Sequence, residues 1–194
     1  MGNLMKIYKW ILLITFCLAT CSNFAFCQGG EKTEIIEDIG VTFKVTMPPE
    51  WKRVDPERGR FEKENPETVL WVKLNKLPSR YQKNKMLRDM NFNGLKNILR
   101  EERSNSDSQL QLMSEEEGNF LDSDRSYLTT RKYKYTILDT TKTKLMRDLL
   151  FMKGSLIYKI DFSVVTDDIR LFDKEWSEVE TIIKTIEIVN ESWW

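Results

Sequence analysis

The sequence of 194 residues contains no histidine. This absence removes the side chain that most often acts as a general base or a metal ligand, and with it the Ser-His and Cys-His catalytic pairs. The three cysteines, Cys17, Cys21 and Cys27, all lie within the first 27 residues. The chain beyond them therefore offers no thiolate nucleophile, no cysteine zinc site and no disulfide framework.

The sequence also has few glycines and a net charge close to zero. Eight glycines in all leave no phosphate-binding glycine loop and no nucleophile elbow. Loss of Lys6 and Lys9 with residues 1–27 would leave 28 of the 30 basic residues against 30 acidic ones, a net charge of −2. A balance this close to neutral gives no electrostatic reason to expect a nucleic-acid partner. We also assign no catalytic, cofactor-binding or metal-binding residue.

Residues 1–27 are typical of a secretory signal peptide. Lys6 and Lys9 supply a positive start, the run from Ile11 to Ala19 is almost entirely apolar, and no acidic residue precedes Glu31. The apolar run is shorter than the roughly 20 residues that a lasting membrane span needs. We therefore expect residues 28–194 to be exported, to the periplasm or the extracellular space.

The leader contains two candidate processing sites. Ala25 and Cys27 are small residues at the positions that a signal peptidase reads, which favours cleavage after Cys27. The segment Leu18 to Cys21 resembles a lipoprotein box, in which Cys21 would be acylated and would anchor the protein to a membrane. Thr20 is bulkier than the residue usually found before such a cysteine. An uncleaved anchor is the third alternative.

The stretch GVTFKVTMPPEW, from Gly40 to Trp51, predicts a half-buried strand. Val41, Phe43, Val45 and Met47 alternate with polar residues. Pro48 and Pro49 end this strand because proline cannot donate to a sheet. Trp51 then has two interpretations, a side chain that closes the end of the core or the edge of a binding site, and we favour the first.

Periodicity predicts the remaining elements. A strand from Thr68 to Leu77 is followed by a helix from Tyr81 to Arg103 with an apolar stripe of Leu87, Met90, Leu95, Ile98 and Leu99. Short strands follow, with hairpin connections at 139–143 and at Gly154-Ser155. Thr166, Asp167 and Asp168 are candidate caps for a last helix. Its core stripe is Phe172, Trp176, Val179, Ile183 and Ile186, and a last short strand is expected at 185–189.

Strands joined by hairpins, with helices placed apart from them, predict an α+β fold. We find no internal repeat and no low-complexity segment, so residues 28–194 are expected to form a single domain with an antiparallel sheet flanked by helices.

The two ends of this domain resemble PsbP-like and DcrB-like exported proteins. The strand followed by MPPEW is similar to their opening, and GSLIYKIDFSVV with LFDKEWSEVETIIKTIEI is similar to their final strand, helix and return strand. The resemblance implies an α/β/α sandwich. Members are mostly non-catalytic, so the resemblance implies no catalytic motif.

The remaining polar clusters can be explained by solvent exposure or by ion pairing between strands, without a functional site. The acidic residues Glu115 to Glu117, Asp122 and Asp124 lack the spacing of a calcium loop and are expected to lie on a solvated hairpin. The basic run from Arg53 to Lys63 is interleaved with acidic residues and predicts an exposed loop. Asp161 is expected to pair with Arg147 of a neighbouring strand.

The tryptophans divide into two groups. Trp71 and Trp176 are expected in the core. The adjacent pair Trp193 and Trp194 ends a polar tail, where it would dock on the domain itself, contact a partner, or lie at a membrane interface.

These observations favour a non-enzymatic exported envelope domain that binds a protein partner or a small ligand. Two alternatives stay open. One is a lipid-anchored structural protein of the envelope, which would meet a membrane only through an acylated Cys21. The other is a hydrolase that uses carboxylates or a Ser-Lys pair.

Overall fold

Ten strands dominate the computed structural model of the chain, which describes residues 30–104 and 110–191. The strands within those ranges are β1 (Lys32–Asp38), β2 (Val41–Met47), β3 (Lys52–Asp55), β4 (Gly59–Lys63), β5 (Thr68–Lys76), β6 (Leu110–Gly118), β7 (Arg125–Ile137), β8 (Thr140–Lys153), β9 (Leu156–Val165) and β10 (Glu187–Glu191). The helices are α1 (Ser79–Gln82), α2 (Lys85–Ser104) and α3 (Ile169–Lys184), with a 3₁₀ turn at Phe120–Asp122.

The strands form two antiparallel sheets. One has seven strands in the order β3-β4-β5-β9-β8-β7-β6, and the other has three in the order β1-β2-β10. The chain from Lys32 onward is one compact unit. The predicted α+β class, antiparallel pairing and single domain are therefore confirmed. None of the helices in the described ranges is long and apolar enough to cross a membrane.

Period-two alternation decides which strand residues enter the main core. Every second residue of β2 is buried, as predicted from Val41 to Met47. These residues share one apolar cluster with side chains from the large sheet and from α3. That cluster includes Leu70, Val72 and Leu74 of β5, Ile160, Phe162 and Val164 of β9, and Phe172, Trp176 and Val179 of α3.

Helix α3 begins after Asp168, one of its three predicted caps. The carboxylate of Asp168 accepts a hydrogen bond from the backbone N–H of Arg170 at 2.9 Å, which satisfies one of the free donors of the first turn. The first four residues of the predicted stripe, Phe172 to Ile183, are buried, and Ile186 lies just past the helix end. The ring of Phe162 packs on Phe172 with a centroid distance of 5.3 Å.

Helix α2 covers part of the opposite face of the large sheet. Phe92 and Leu99 are buried in a second apolar cluster, which includes Tyr127, Leu150, Met152 and Ile157 of the sheet. The predicted stripe was partly wrong because Met90 and Ile98 are exposed, while Phe92 is fully buried. The predicted helix from Tyr81 to Arg103 is also divided into α1 and α2.

The segment between Trp51 and Thr68 is a hairpin, and the predicted exposed loop was wrong. Strands β3 and β4 pair with each other, and β4 pairs with β5. Within β4, Gly59, Phe61 and Lys63 are buried while Arg60 and Glu62 face outward. The apolar–polar alternation of β4 was hard to recognise in the sequence because charged residues occur on both of its faces, with Lys63 on the side that faces the core.

Tight turns set the register of the long hairpins. Leu138 and Asp139 connect β7 and β8, with positive φ angles of 47° and 62°. The predicted loop at 139–143 was too long, since β8 already begins at Thr140. The predicted two-residue connection at Gly154-Ser155 is present, and Gly154 has a φ of 61°, which suits glycine.

Candidate functional site

The outer face of β5 carries polar and aromatic side chains that α2 does not bury. Leu70, Val72 and Leu74 point into the main core. Trp71 lies between them in the sequence and therefore points to the opposite face, where it is only half-buried. The prediction that Trp71 is a core residue was wrong, whereas Trp176 is buried in the core as expected.

A cleft of about 370 Å³ opens beside this tryptophan. We call it the Trp71 cleft. The lining residues that matter most for its chemistry are Asp38, Arg58, Trp71, Lys73, Asn75 and Lys159. They come from the β1–β2 turn, the β3–β4 turn, β5 and β9, so the cleft is assembled from four separate parts of the chain.

The end of β1 and the β1–β2 turn form one wall of the cleft, where they hydrogen-bond to the part of β5 that β4 does not pair with. Strand β4 pairs with β5 only as far as Val72, which lies opposite Gly59. Beyond that point, the backbone N–H of Leu74 donates to the Asp38 carboxylate at 3.0 Å, and the N–H of Lys76 donates to the carbonyl of Ile39 at 3.1 Å. The wall is therefore fixed by hydrogen bonds to β5.

Two cations lie against the indole of Trp71. The Nζ atom of Lys73 is 3.6 Å from the ring centroid, and the Cζ atom of Arg58 is 6.0 Å from it. Ammonium and guanidinium groups are attracted to the negative face of an aromatic ring at such distances. The tryptophan thus provides the cleft with both an apolar surface and an electrostatic contact.

Lys73 lies directly opposite Lys159 in the β5–β9 pairing. Like charges at such a position repel each other. Burial, the ammonium of Lys159 and the guanidinium of Arg58 all lower the pKa of Lys73, and together they outweigh the opposing effect of Asp161 and Asp38. The pairing of β5 with β9 therefore places two lysines opposite each other on this face of the sheet.

The carboxylates around the cleft differ in how far they are already engaged. Asp38 accepts hydrogen bonds from the backbone N–H groups of Ile39, at 2.8 Å, and Leu74. Glu37 and Glu57 also line the cleft, but both are exposed. Asp38 therefore serves the wall of the cleft, and the two glutamates lie where water screens their charges.

The indole N–H of Trp71 is buried and has no hydrogen-bond acceptor within the described part of the chain. A buried donor without an acceptor costs free energy, so such groups are rare in folded proteins. The cleft is therefore lined by several cations and by an aromatic residue whose buried indole N–H has no acceptor within the described residues.

Trp51 belongs to a different part of the structure, in agreement with its predicted role at the end of the core. It is buried, and its Nε1 donates to Glu178 of α3 at 2.5 Å. Lys63 is hydrogen-bonded to Glu175 and, at 3.0 Å, to Glu178. The cluster therefore joins the β3–β4 hairpin to α3.

The acidic residues near position 115 are held by basic partners. Glu115 pairs with Arg100 at 3.2 Å, and Glu117 pairs with Lys96 at 2.7 Å. Nowhere in the described ranges do three or more His, Cys, Asp or Glu side chains come together in a group that could hold a metal ion. Glu115 to Glu117 are exposed on β6, which forms an antiparallel hairpin with β7, so the predicted solvated hairpin is confirmed.

The predicted pairing of Asp161 with Arg147 was wrong. Arg147 lies opposite Phe162 on the core-facing side of β8, where it binds Asp173 at 3.0 Å. Asp161 lies on the other face, 3.9 Å from the Nζ atom of Lys159. Its register partner is Asp148, which is buried and bound to Arg131 at 2.5 Å, so this carboxylate pair does not form an open acid–base site.

A second cleft of about 350 Å³ lies beside Arg100, Tyr127 and Arg131. Burial, reinforced by the nearby carboxylate of Glu115, raises the pKa of Tyr127 to about 12. Its lining residues Glu101 and Leu110 flank, in the sequence, residues 105–109, which are outside the described ranges, so no site is assigned to it. The predicted sites at Cys21, Cys27, Trp193 and Trp194 also lie outside those ranges.

Sequence reasoning missed the Trp71 cleft although β5 contains a signal for it. In TVLWVKLNK, Trp71 alternates with leucine and valine and shares its face with Lys73 and Asn75. That pattern assigns the tryptophan to a polar face. The contribution of Arg58, Lys159 and the β1–β2 turn could not be inferred because it depends on strand order.

No family model matches the chain, and no curated protein gives a significant match. Solved structures are similar to it at low identity. A protein from Bacteroides thetaiotaomicron is 15% identical with a TM-score of 0.42, over 77% of this chain and 46% of that one. The cyanobacterial PsbP of Synechocystis is 16% identical with a TM-score of 0.42, over 84% of this chain and 95% of that one.

A mutant of the protein Mog1 is 10% identical with a TM-score of 0.41, over 82% of this chain and 97% of that one. The chain thus spans about 46% of the Bacteroides protein's length. The expected PsbP-like resemblance is confirmed as a weak resemblance of fold. Similarity at this level says nothing about activity.

Proposed function

We propose that this chain is a non-enzymatic exported domain of the cell envelope that binds a small ligand in the Trp71 cleft. The observation that carries the proposal is the placement of Lys73 and Arg58 against the half-buried indole of Trp71, in a cleft of about 370 Å³. Concave sites with an aromatic surface and a few convergent polar groups are where small molecules bind most often.

The chemistry of the lining favours binding over catalysis. The sequence has no histidine, and its cysteines lie in the first 27 residues, which limits the available nucleophiles and bases. Of the carboxylates at the cleft, Asp38 is engaged by two backbone N–H groups. A general base must be within reach of the proton that it removes and be free to accept it.

A ligand screen on the exported chain tests the binding proposal. We expect ligands that raise the unfolding temperature of the natural chain to lose that effect with Trp71→Leu, which removes the aromatic surface. Trp176→Phe, a change in the core on the other face of the sheet, is the control and should keep the effect. Ligands that stabilise the Trp71→Leu variant equally well would place binding elsewhere.

Export and anchoring need a separate experiment. The basic, apolar start of the chain supports export, and intact mass of the exported species separates the alternatives. A new N-terminus at Gln28 indicates cleavage after Cys27, and an acyl adduct on Cys21 indicates a lipoprotein. A chain that is found inside the cell and still carries residues 1–27 would contradict export.

We also propose the finer description of the fold, a PsbP-like α/β/α sandwich. The support is that Phe92 of α2 packs on one face of the large sheet and Phe172 of α3 packs on the other. The three-stranded sheet shares the face with α3 through residues such as Phe43. An experimental structure with both helices on one face would contradict this description.

A protein partner is the second candidate, favoured by the two tryptophans that end the chain. Tryptophan is enriched at the centres of protein interfaces. We expect a pull-down from envelope fractions to recover a partner with the full chain and to lose it when Trp193 and Trp194 are replaced by serine. Equal recovery with both chains would remove this role from the tail.

A further inference from the structure

We propose that the Trp71 cleft binds small molecules that carry an oxyanion, either a carboxylate or a phosphate, between the ammonium groups of Lys73 and Lys159. Arg58 lies at the mouth of the cleft, and the apolar body of the ligand packs against Trp71. This inference rests on the proposed function and adds the chemical class of the ligand.

The arrangement of the two lysines is the first argument. They are register partners on neighbouring strands and both line the cleft. Like charges at such positions oppose strand pairing. An oxyanion between them converts the repulsion into two charge-assisted hydrogen bonds.

The distribution of negative charge is the second argument, because it decides between an anionic and a cationic ligand. The Asp38 carboxylate faces the β1–β2 turn and β5, and its oxygens accept from Ile39 and Leu74. Asp161 lies 3.9 Å from Lys159 and offsets part of that charge. Glu57 and Glu37 are exposed to water, as is Arg58, so the less exposed charges are the two lysines and two carboxylates that already have partners. A cationic ligand would have to displace one of those partners, whereas an anionic ligand would not.

Trp71 supplies the third argument. Its indole N–H is buried without an acceptor in the described chain, and an oxyanion is a strong acceptor. The ring also offers apolar area next to the charges, which favours an organic anion over an inorganic one. Movement of the Lys73 ammonium from the ring, where it lies 3.6 Å from the centroid, toward the oxyanion uncovers that area.

Four probes of nearly equal size test this class by calorimetry on the exported chain: benzoate, phenyl phosphate, neutral benzamide and cationic benzylamine. We expect the two anions to bind at least about tenfold more tightly than the other two, because hydrogen bonds to charged groups contribute more than neutral ones. The tighter of the two anions identifies the preferred oxyanion.

Variants then locate the binding. We expect Lys73→Gln and Lys159→Gln each to weaken benzoate binding by about tenfold or more. Lys159→Arg should retain most of it. Lys142→Gln is the matched control, since Lys142 is an exposed lysine outside the cleft. Circular dichroism and urea unfolding establish that each variant is folded, and both lysines lie on the outer face, where glutamine fits.

The outcomes separate the two proposals. Benzamide or benzylamine binding as tightly as the anions, with dependence on Trp71, overturns the oxyanion class and leaves the proposed function in place. A folded Lys73→Gln or Lys159→Gln variant with unchanged benzoate affinity also overturns it. If none of the probes binds, the oxyanion class fails, whereas the proposed function fails only if the wider screen finds no Trp71-dependent ligand.

Discussion

The indole N–H of Trp51 donates to the carboxylate of Glu178, 127 residues further along the chain, at 2.5 Å. The same carboxylate accepts from Lys63 at 3.0 Å, and the Lys63 ammonium lies 5.1 Å from the centroid of the Trp51 ring. The tryptophan that follows the two prolines therefore fixes α3 to the β3–β4 hairpin.

Trp51→Phe tests this connection. The substitution keeps an aromatic ring in the core and removes the hydrogen bond to a charged acceptor, so we expect unfolding free energy to fall by about 1.5–3 kcal/mol. The midpoint of urea unfolding measures it. Lys52→Gln, on the exposed side of β3, should change stability by about 0.5 kcal/mol or less. An unchanged midpoint for Trp51→Phe would show that the hydrogen bond has no net effect.

Lys63 should be more costly to remove than its neighbours. Lys63→Met leaves Glu175, which is buried, without its cation, and breaking a buried ion pair costs about 3–5 kcal/mol. The double variant with Glu175→Gln should recover a large part of that loss in a double-mutant cycle. A double variant less stable than Lys63→Met alone would contradict the pairing.

The pH dependence of this pair follows from the sign of the pKa change. Burial lowers the pKa of Lys63, but the hydrogen bonds and charges of Glu175 and Glu178 outweigh burial and raise it above its ordinary value. The stabilisation is therefore complete below the unfolded pKa of about 10.4 and is lost as the pH rises through the higher folded value. Between neutral pH and about pH 9, the difference between Lys63→Met and the natural chain should stay constant.

Two glycine substitutions should act in opposite directions. A Cβ atom at Gly59 would lie 2.4 Å from the carbonyl oxygen of Val72, so Gly59→Ala should destabilise the chain by about 1–3 kcal/mol through a backbone shift. At Gly94, in α2, nothing lies within 4 Å, and Gly94→Ala should stabilise by about 0.5–1 kcal/mol. Urea midpoints that shift in the same direction would contradict the close approach at Gly59.

Tyr127 should give the chain an alkaline stability slope. Its pKa is raised to about 12 by burial and by Glu115, whereas the unfolded chain loses this proton near pH 10. Between those values the unfolded state has lost more protons, so stability falls as pH rises. The Tyr127→Phe variant should show a smaller fall between about pH 9 and about pH 11. An equal fall in both chains would contradict the raised pKa, and tyrosinate absorbance provides an independent check.

The sequence alone determined the elements whose signals are local. These signals are the alternation in β2 and β9, a cap within residues 166–168 and the four-three spacing of α3. Each lies within a single element, so it can be recognised without knowing which elements are neighbours in space. The antiparallel α+β class followed from the same signals, because hairpin connections leave few other arrangements.

Tertiary structure decided the roles of individual polar residues. Lys63 occupies a position that reads as loop until Glu175, 112 residues away, is placed beside it. Arg147 and Asp161 are both charged, but strand register puts them on opposite faces of the sheet. A shift of one residue in a strand exchanges its two faces, so such pairings depend on register as well as on composition.

The Trp71 cleft shows the same division. Alternation in β5 places Trp71 and Lys73 on one face, and this much is present in the sequence. The order β4-β5-β9 then brings Lys159 beside Lys73, and the β1–β2 turn closes the wall through Asp38. Local periodicity fixes the direction in which a side chain points, whereas contacts between distant segments decide what it meets.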